Sequence, residues 1–252
     1  GTKGSVGIGT PGSLSRATGH LRNANSTCLN GKPFVEDLSA LLNRPLRVAN
    51  DANCFALSEA TDGAATQAEV VFGVILGTGV GGGVVVRRHV LDGPNGIAGE
   101  WGHNPLPWPR PEELPGPACY CGKNGCIETF LSGPGMALDF AALHPTTLTA
   151  PEIVQLSEQD PHSSAALAMQ RYIDRLARAL AHVINILDPD VIVLGGGMSN
   201  IQHLYREVPR IWGRYVFSDR VDTRLVPPRF GDSSGVRGAA WLWADPRAGL
   251  PD

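Results

Sequence analysis

Residues 119–128 read CYCGKNGCIE, which puts three cysteines within eight residues of a chain that has only five. Three chemistries could use such a cluster. A disulfide between Cys119 and Cys121 would close a small, strained ring. A redox pair normally spaces its cysteines C-x-x-C, and that spacing does not occur here. A metal knuckle suits the pattern better, because Gly122 and Gly125 let the backbone fold until three thiolates converge. Zinc then requires a fourth soft or imidazole donor. His103, in GEWGHNPLPW (99–108), stands sixteen residues before Cys119 in the same Gly- and Pro-rich region. The spacing therefore predicts a Cys₃His zinc site at His103, Cys119, Cys121 and Cys126, against the plain alternative of three incidental free thiols. Four protein donors fill the tetrahedron, so the predicted role is structural. Charge argues against a nucleic-acid-binding zinc finger, since Arg110 and Lys123 are the only Lys or Arg residues between 90 and 130.

Carboxylates cluster around that knuckle. Glu100 lies in G-E-x-G-H and Glu128 in C-I-E. A metal that orders the loop would hold both, and fixed acceptors suit a ligand rich in hydroxyls, such as a sugar. The alternative is two solvated surface glutamates. VANDAN (48–53) ends a predicted strand with Asn50 and Asp51. Asp51 reads either as the N-cap of the next helix or as a general base at a strand end, and the two roles are compatible.

Two glycine loops follow predicted strands. ILGTGVGGGV (75–84) offers Gly77, Thr78, Gly79 and Gly81, whose backbone N–H groups could wrap a phosphate. It lacks the lysine of a P-loop, and a tight hairpin is the competing reading. LGGGMSN (194–200) places Gly195, Gly196 and Gly197 after a second strand. Together the loops suggest a nucleotide.

The elements that must position these residues read as α/β. Strands are expected at 5–9, 46–50, 70–79 and 191–197, with 81–91 as the hairpin partner of the third. Helices are expected at 34–44, with Phe34, Leu38, Leu41 and Leu42 on one face, and at 51–63, capped by Asp51 and closed by Gly63. A long helix is expected over 160–190, starting at Asp160–Pro161, with Ile173, Leu176, Leu180, Val183, Ile184 and Leu187 on one face. A last helix falls within 231–243. Residues 92–135 show little periodicity and read as a long braced loop. The chain of 252 residues is 42% hydrophobic with a formal net charge of −3. That balance supports a sizeable core and argues against a broad grip on nucleic acid or an anionic membrane. No apolar run is long enough for a membrane span, the opening GTKGSVGIGTPG lacks the apolar stretch expected of a secretory leader, and odd cysteine usage leads to the expectation of a reducing cytoplasm.

ANDAN, GTGVGGG, AGEWGHNPLPW, CYCGKNGCIETF and DPDVIVLGGGMSN, taken together, resemble the ROK group of sugar kinases and sugar-responsive repressors. GEWGHNPLPW and NANSTCLNGKPF are most similar to its bacterial fructokinase (manno(fructo)kinase) branch. The resemblance implies an actin-like, ribonuclease-H-like fold of two α/β lobes with the site between them. Residues 1–65 would belong to the first lobe, 66–235 to the second with its zinc-braced loop 99–130, and a C-terminal helix over 236–252 would pack back on the first. The family's D-x-G-G-T-K turn is not preceded here by its Asp and strand, because the chain opens GTKGSVGIG. The resemblance therefore implies a first lobe truncated at its N-terminus. Cys28 stands where this branch would carry Trp.

The implied activity is MgATP-dependent phosphorylation of a hexose, foremost fructose to fructose 6-phosphate, with another hexose or an N-acetylhexosamine as the alternative acceptor. A non-catalytic sugar-binding fragment or regulator is the alternative of another class. By motif position Asp51 would take the proton of the attacking hydroxyl. Asn25, Asn50, Glu100, His103 and Glu128 would hold the sugar. Gly77, Thr78, Gly79 and Gly81 would approach the ATP phosphates, and Gly195 to Gly197 the nucleoside. The family also implies a homodimer.

Overall fold

A computed structural model describes residues 4–24 and 26–244. Strand β1 (Val6–Thr10) is followed by a small hairpin of β2 (Ser13–Leu14) and β3 (Leu21–Arg22). Helix α1 (Phe34–Leu42) leads to β4 (Leu46–Asn50), which pairs parallel with β1, and α2 (Asp51–Thr61) follows at once. A second sheet is built from β5 (Val70–Leu76), β6 (Val80–Val86) and β7 (His89–Val90). After α3 (Ile127–Leu131), α4 (Gly133–Leu143), α5 (Ala150–Gln159) and α6 (Ser164–Leu187) come β8 (Val191–Gly195), α7 (Gln202–Trp212), β9 (Arg224–Val226) and α8 (Ser234–Trp241). The strand order is β7-β6-β5-β8-β9, with β5, β8 and β9 parallel and β6 antiparallel to β5.

Alternation along these strands divides the core. Phe72, Val74, Leu76, Ile192 and Leu194 face the apolar stripe of α6, where Ile173, Leu176, Leu180 and Ile184 are buried. Val71, Val85, Val191 and Val193 face the other way, onto Phe55 and Ala56 of α2 and Ala239 of α8. Helix α2 sits so close to β5 that a Cβ at Gly73 would come within 2.6 Å of the Ala56 Cβ. The turn that closes α8 joins β1 and β4: the Trp243 indole donates to the Val6 carbonyl at 2.9 Å, and Arg47 donates to the Leu242 carbonyl. The end of the expected C-terminal helix, 245–252, lies outside the described residues, as does the opening GTK.

Several boundaries differ from the sequence expectations. The hairpin partner expected over 81–91 is two strands, because Arg87 and Arg88 both adopt left-handed backbone angles (φ 51° and 65°) and turn the chain. Neither is a residue type that announces such a turn. The long helix begins at Ser164 instead of Asp160, because the Ser163 hydroxyl accepts the Ala166 N–H while Asp160 closes a turn onto His162. Helix α2 is capped by Asn50, not Asp51: the Asn50 Oδ1 accepts the N–H groups of Ala52 and Asn53. It also ends at Thr61, ahead of Gly63. Helix α1 forms, but it buries no residue and leaves Leu41 79% exposed. Within 92–135 the chain makes short 3₁₀ turns at Trp101–His103 and Pro111–Glu113, then α3. Among the described residues no helix is long and apolar enough to cross a membrane.

Candidate functional site

At the carboxyl ends of β4 and β5 a cleft of about 1160 Å³ opens, lined by Asn50, Asp51, Gly77, Thr78, Gly79, Gly81, Glu100, His103 and Glu128. These residues span 79 positions of sequence and come from four separate segments, yet all were expected to meet. Asp51 is placed by the junction of β4 and α2. The Asn50 side chain fixes that junction from both sides, capping α2 and donating from Nδ2 to the Gly12 carbonyl at 3.0 Å. Asn50 thus positions Asp51 within the described structure. Asp51 offers surface to the cleft, but the walls desolvate its carboxyl. Burial raises its pKa above the ordinary value, opposed by the Ala52 N–H that Oδ1 accepts at 2.8 Å. Glu100 is also raised, first by desolvation; His103 and Arg22 pull it down, while Asp51 and Glu128 push it up.

The glycines at 77–83 divide by role. Residues 77–79 make the turn, with the Gly77 N–H donating to the Gly79 carbonyl at 3.0 Å. Gly81 to Gly83 lie in β6. There a Cβ at Gly82 would press on the Gly99 carbonyl (2.7 Å) and one at Gly83 on the Ala52 carbonyl (2.5 Å). Those glycines admit helix α2 and the Glu100 segment close to the sheet. The turn is tied to Glu128, whose Oε2 accepts the Val80 N–H at 2.9 Å. Gly195, Gly196 and Gly197 do not line this cleft. Gly195 pairs with Ile75 across β5 and β8, so both glycine loops leave the same sheet edge, but a Cβ at Gly195 would strike the Phe55 ring. Packing against α2 accounts for that glycine. Asn25 lies outside the described residues; its neighbours Ala24 and Thr27 line the cleft.

His103, Cys119, Cys121 and Cys126 converge, with one donor atom from each lying within 4.8 Å of all the others. The His103 Nδ1 is 3.6 Å from the Cys119 Sγ, and the Cys121 and Cys126 Sγ atoms are 3.6 Å apart. A tetrahedron with ordinary Zn–S and Zn–N lengths has edges of about 3.8 Å (S to S) and about 3.6 Å (S to N). Burial pushes the Cys126 thiol up to about 12 and raises Cys119 as well. Thiols held this way ionise only against a strong positive charge, which a divalent cation supplies. The donor set and its spacing are compatible with zinc. Cys126 is also the N-cap residue of α3, two residues before Glu128, so the knuckle and Glu128 share one short stretch of backbone.

A second brace went unread in the sequence. Glu113, between the first two metal-type ligands, is buried against α6. Its Oε1 accepts from Arg175 (2.8 Å) and Arg178 (2.7 Å), and its Oε2 from Arg178 (2.9 Å) and the Arg110 N–H (2.8 Å). Arg178 also donates to the Pro107 and Trp108 carbonyls. Arg22 and Tyr120 line the cleft too, and neither stands in a pattern that marks it.

The chain matches the ROK family over residues 1–246. It is 44% identical over 246 residues to the N-acetyl-D-glucosamine kinase of Salmonella typhimurium, covering 96% of this chain and 81% of that protein. Among solved structures, a ROK hexokinase from Thermus thermophilus superposes with a TM-score of 0.81 at 30% identity, covering 94% of this chain and 77% of that one. A ROK family glucokinase from Streptomyces griseus, solved with glucose and AMPPNP, shares the fold with a TM-score of 0.80 at 24% identity, covering 96% of this chain and 81% of that one.

Proposed function

The chain belongs to the ROK family, and on that premise we propose that it is an ATP-dependent sugar kinase acting on a hexose or N-acetylhexosamine. The convergence of Asp51, the Glu100–His103–Glu128 group and the 77–79 turn in one cleft carries this reading. The sugar hydroxyl oxygen, taken as that of C6, attacks the γ-phosphorus of ATP. Its proton passes to the Asp51 carboxylate, the bond to the bridging oxygen breaks, and ADP leaves. The desolvation that raises the Asp51 pKa makes it a better proton acceptor than a solvated aspartate. Phosphoryl transfer asks mainly for positioning and charge neutralisation, and Mg²⁺ travels with the nucleotide.

The glycine turn at Gly77, Thr78 and Gly79 would receive the phosphates. The loop at Gly195 to Gly197 leaves the same edge and would lie toward the nucleoside. Glu100 and Glu128 would accept sugar hydroxyls. His103, Cys119, Cys121 and Cys126 would hold zinc, which supplies a closed structural brace. That brace fixes Glu128 through the start of α3 and His103 through its ring.

The relatives at 44% identity are N-acetyl-D-glucosamine kinases. That favours an N-acetylhexosamine over the fructose that the motifs suggested. Coupled ADP release with MgATP and N-acetyl-D-glucosamine, glucose, mannose and fructose in turn tests both sugar and class. Sugar-dependent turnover is expected, and Asp51→Asn should lower kcat by about 10²- to 10⁴-fold while sugar binding persists. Sugar binding with no turnover by the wild-type chain would favour a sugar-responsive regulator instead.

A further inference from the structure

Glu128 reaches the cleft from α3, a helix of only five residues. So short a helix does not hold itself in water, and its direction must come from what it packs against. Behind it lies α6. Three buried α6 side chains, Tyr172, Arg175 and Arg178, step along one side of that helix at intervals of three and meet α3 and the segment that pairs with its start.

Each contact is directional. The Tyr172 hydroxyl donates to the Leu131 carbonyl at 2.9 Å, at the last residue of α3. The Arg175 guanidinium lies over the Phe130 ring, 4.9 Å from its centroid. Arg178 donates to the Trp108 carbonyl at 2.8 Å and the Pro107 carbonyl at 3.2 Å. Just upstream of those carbonyls, the Leu106 N–H donates to the Gly125 carbonyl, and the Asn104 carbonyl accepts the Ile127 N–H, both at 2.9 Å. Arg178 thus anchors one end of a segment whose other end is tied to the residue beside Glu128. Glu113 accepts from both guanidiniums and fixes them in turn. Apolar side chains would join two elements at less desolvation cost than buried arginines. A planar guanidinium sets direction as well as distance, which positioning needs and simple adhesion does not.

We infer that Tyr172, Arg175 and Arg178 are positioning residues for the sugar site, acting from α6 through α3 and the 104–108 segment to set the Glu128 carboxylate in the cleft. The inference rests on the reading of Glu128 as an acceptor of sugar hydroxyls. It makes the orientation of Glu128 depend on α6 as well as on the metal-type knuckle.

Arg178→Lys keeps the charge and loses the fork that spans Glu113 and the two carbonyls. Tyr172→Phe removes one hydroxyl and nothing else. Each would be made in the wild-type chain and in a Glu128→Ala chain. Sugar Kd would be read by calorimetry with the four sugars, and zinc per chain by elemental analysis. Arg178→Lys should keep full zinc and raise the sugar Kd about 3- to 30-fold, a share of what a hydrogen bond to a charged acceptor contributes. Tyr172→Phe should raise it too. Both effects should vanish when Glu128 is already Ala, because the α6 residues act through it. An equal fold-change with and without Glu128 would overturn the inference, since a general loosening of the fold does not depend on that side chain. Loss of zinc from Arg178→Lys would overturn it by routing the effect through the knuckle. Should Arg178→Lys fail to fold, Tyr172→Phe carries the same test. A wild-type chain that binds none of the sugars would overturn the reading of the site and this inference with it. Sugar binding by the wild type that both variants leave unaltered would overturn this inference alone.

Discussion

Replacing Glu113 by Gln keeps the shape of the side chain but removes the negative charge that faces two buried guanidinium groups. In the folded chain burial works against ionising Glu113. The bonds from Arg178, the Arg110 N–H and Arg175 outweigh it and hold the carboxyl down to about 2. An unfolded glutamate titrates near 4.3, so the difference is worth roughly 3 kcal/mol of folding stability. Breaking a buried ion pair at one partner costs about 3 to 5 kcal/mol. The lower end applies here, because Arg178 keeps Asp174 (3.0 Å) and Arg175 keeps Asp139 (2.8 Å). Glu113→Gln should therefore lose roughly 3 kcal/mol at pH 7. The sign in pH follows from the lowered folded pKa. Glu113's contribution is complete above the unfolded value, shrinks as pH falls, and is gone once pH passes below about 2. Urea denaturation of zinc-loaded wild-type and Glu113→Gln chains at pH 7 and at successively lower pH measures the gap. A gap under about 1 kcal/mol at neutral pH, the range of an ordinary surface substitution, would refute the reasoning. So would a gap that stays constant toward acid.

Metal removal should act more locally than that substitution, because the Glu113 cluster still clamps the middle of the 104–118 segment to α6. Hydrogen exchange after chelation should rise at 119–128 more than at 107–113, and sugar affinity should fall; unchanged affinity in verified metal-free protein would contradict the brace. The pH dependence of turnover follows from the site carboxylates. Asp51 must be ionised to accept a proton, and burial raises its pKa, so kcat/KM should rise with pH along an acid limb lying above the usual aspartate range. The same shift means that ionised Asp51 opposes folding at neutral pH. Asp51→Asn should thus be at least as resistant to urea at pH 7 as the wild type, even as turnover is lost, and a clear loss of stability would count against the desolvated-base argument.

Local chemistry determined much of this protein before any contact was known. The period of 3.6 residues marks α6, with Ile173, Leu176, Leu180 and Ile184 buried as the stripe requires. The apolar runs at 70–76 and 191–195 are strands buried on both faces. The four metal-type ligands could be read because thiolate and imidazole donors at short spacing have few other uses, and the structure brings them within reach of one ion. Helix α5 could also have been read: Thr149-Ala-Pro-Glu152 is a capping box with proline in the first turn, and that signal was overlooked.

Other features depend on partners far away in sequence. Asn50 and Asp51 are adjacent and both suit a helix start, and only the approach of the Gly12 carbonyl decides that Asn50 caps while Asp51 faces the cleft. Gly195 opens a run of three glycines, and only the structure shows that the Phe55 ring occupies the space its own side chain would need. Glu113 reads as one glutamate in a proline-rich loop, and its partner Arg178 stands 65 residues away on another element. Tyr120 is one aromatic between two cysteines, and its place at the His103 corner follows from how the knuckle folds back on the cleft. Sequence determines propensity and donor chemistry because those belong to single residues and their near neighbours. Side-chain direction, desolvation and partner choice belong to the space between elements, and only packing creates that space.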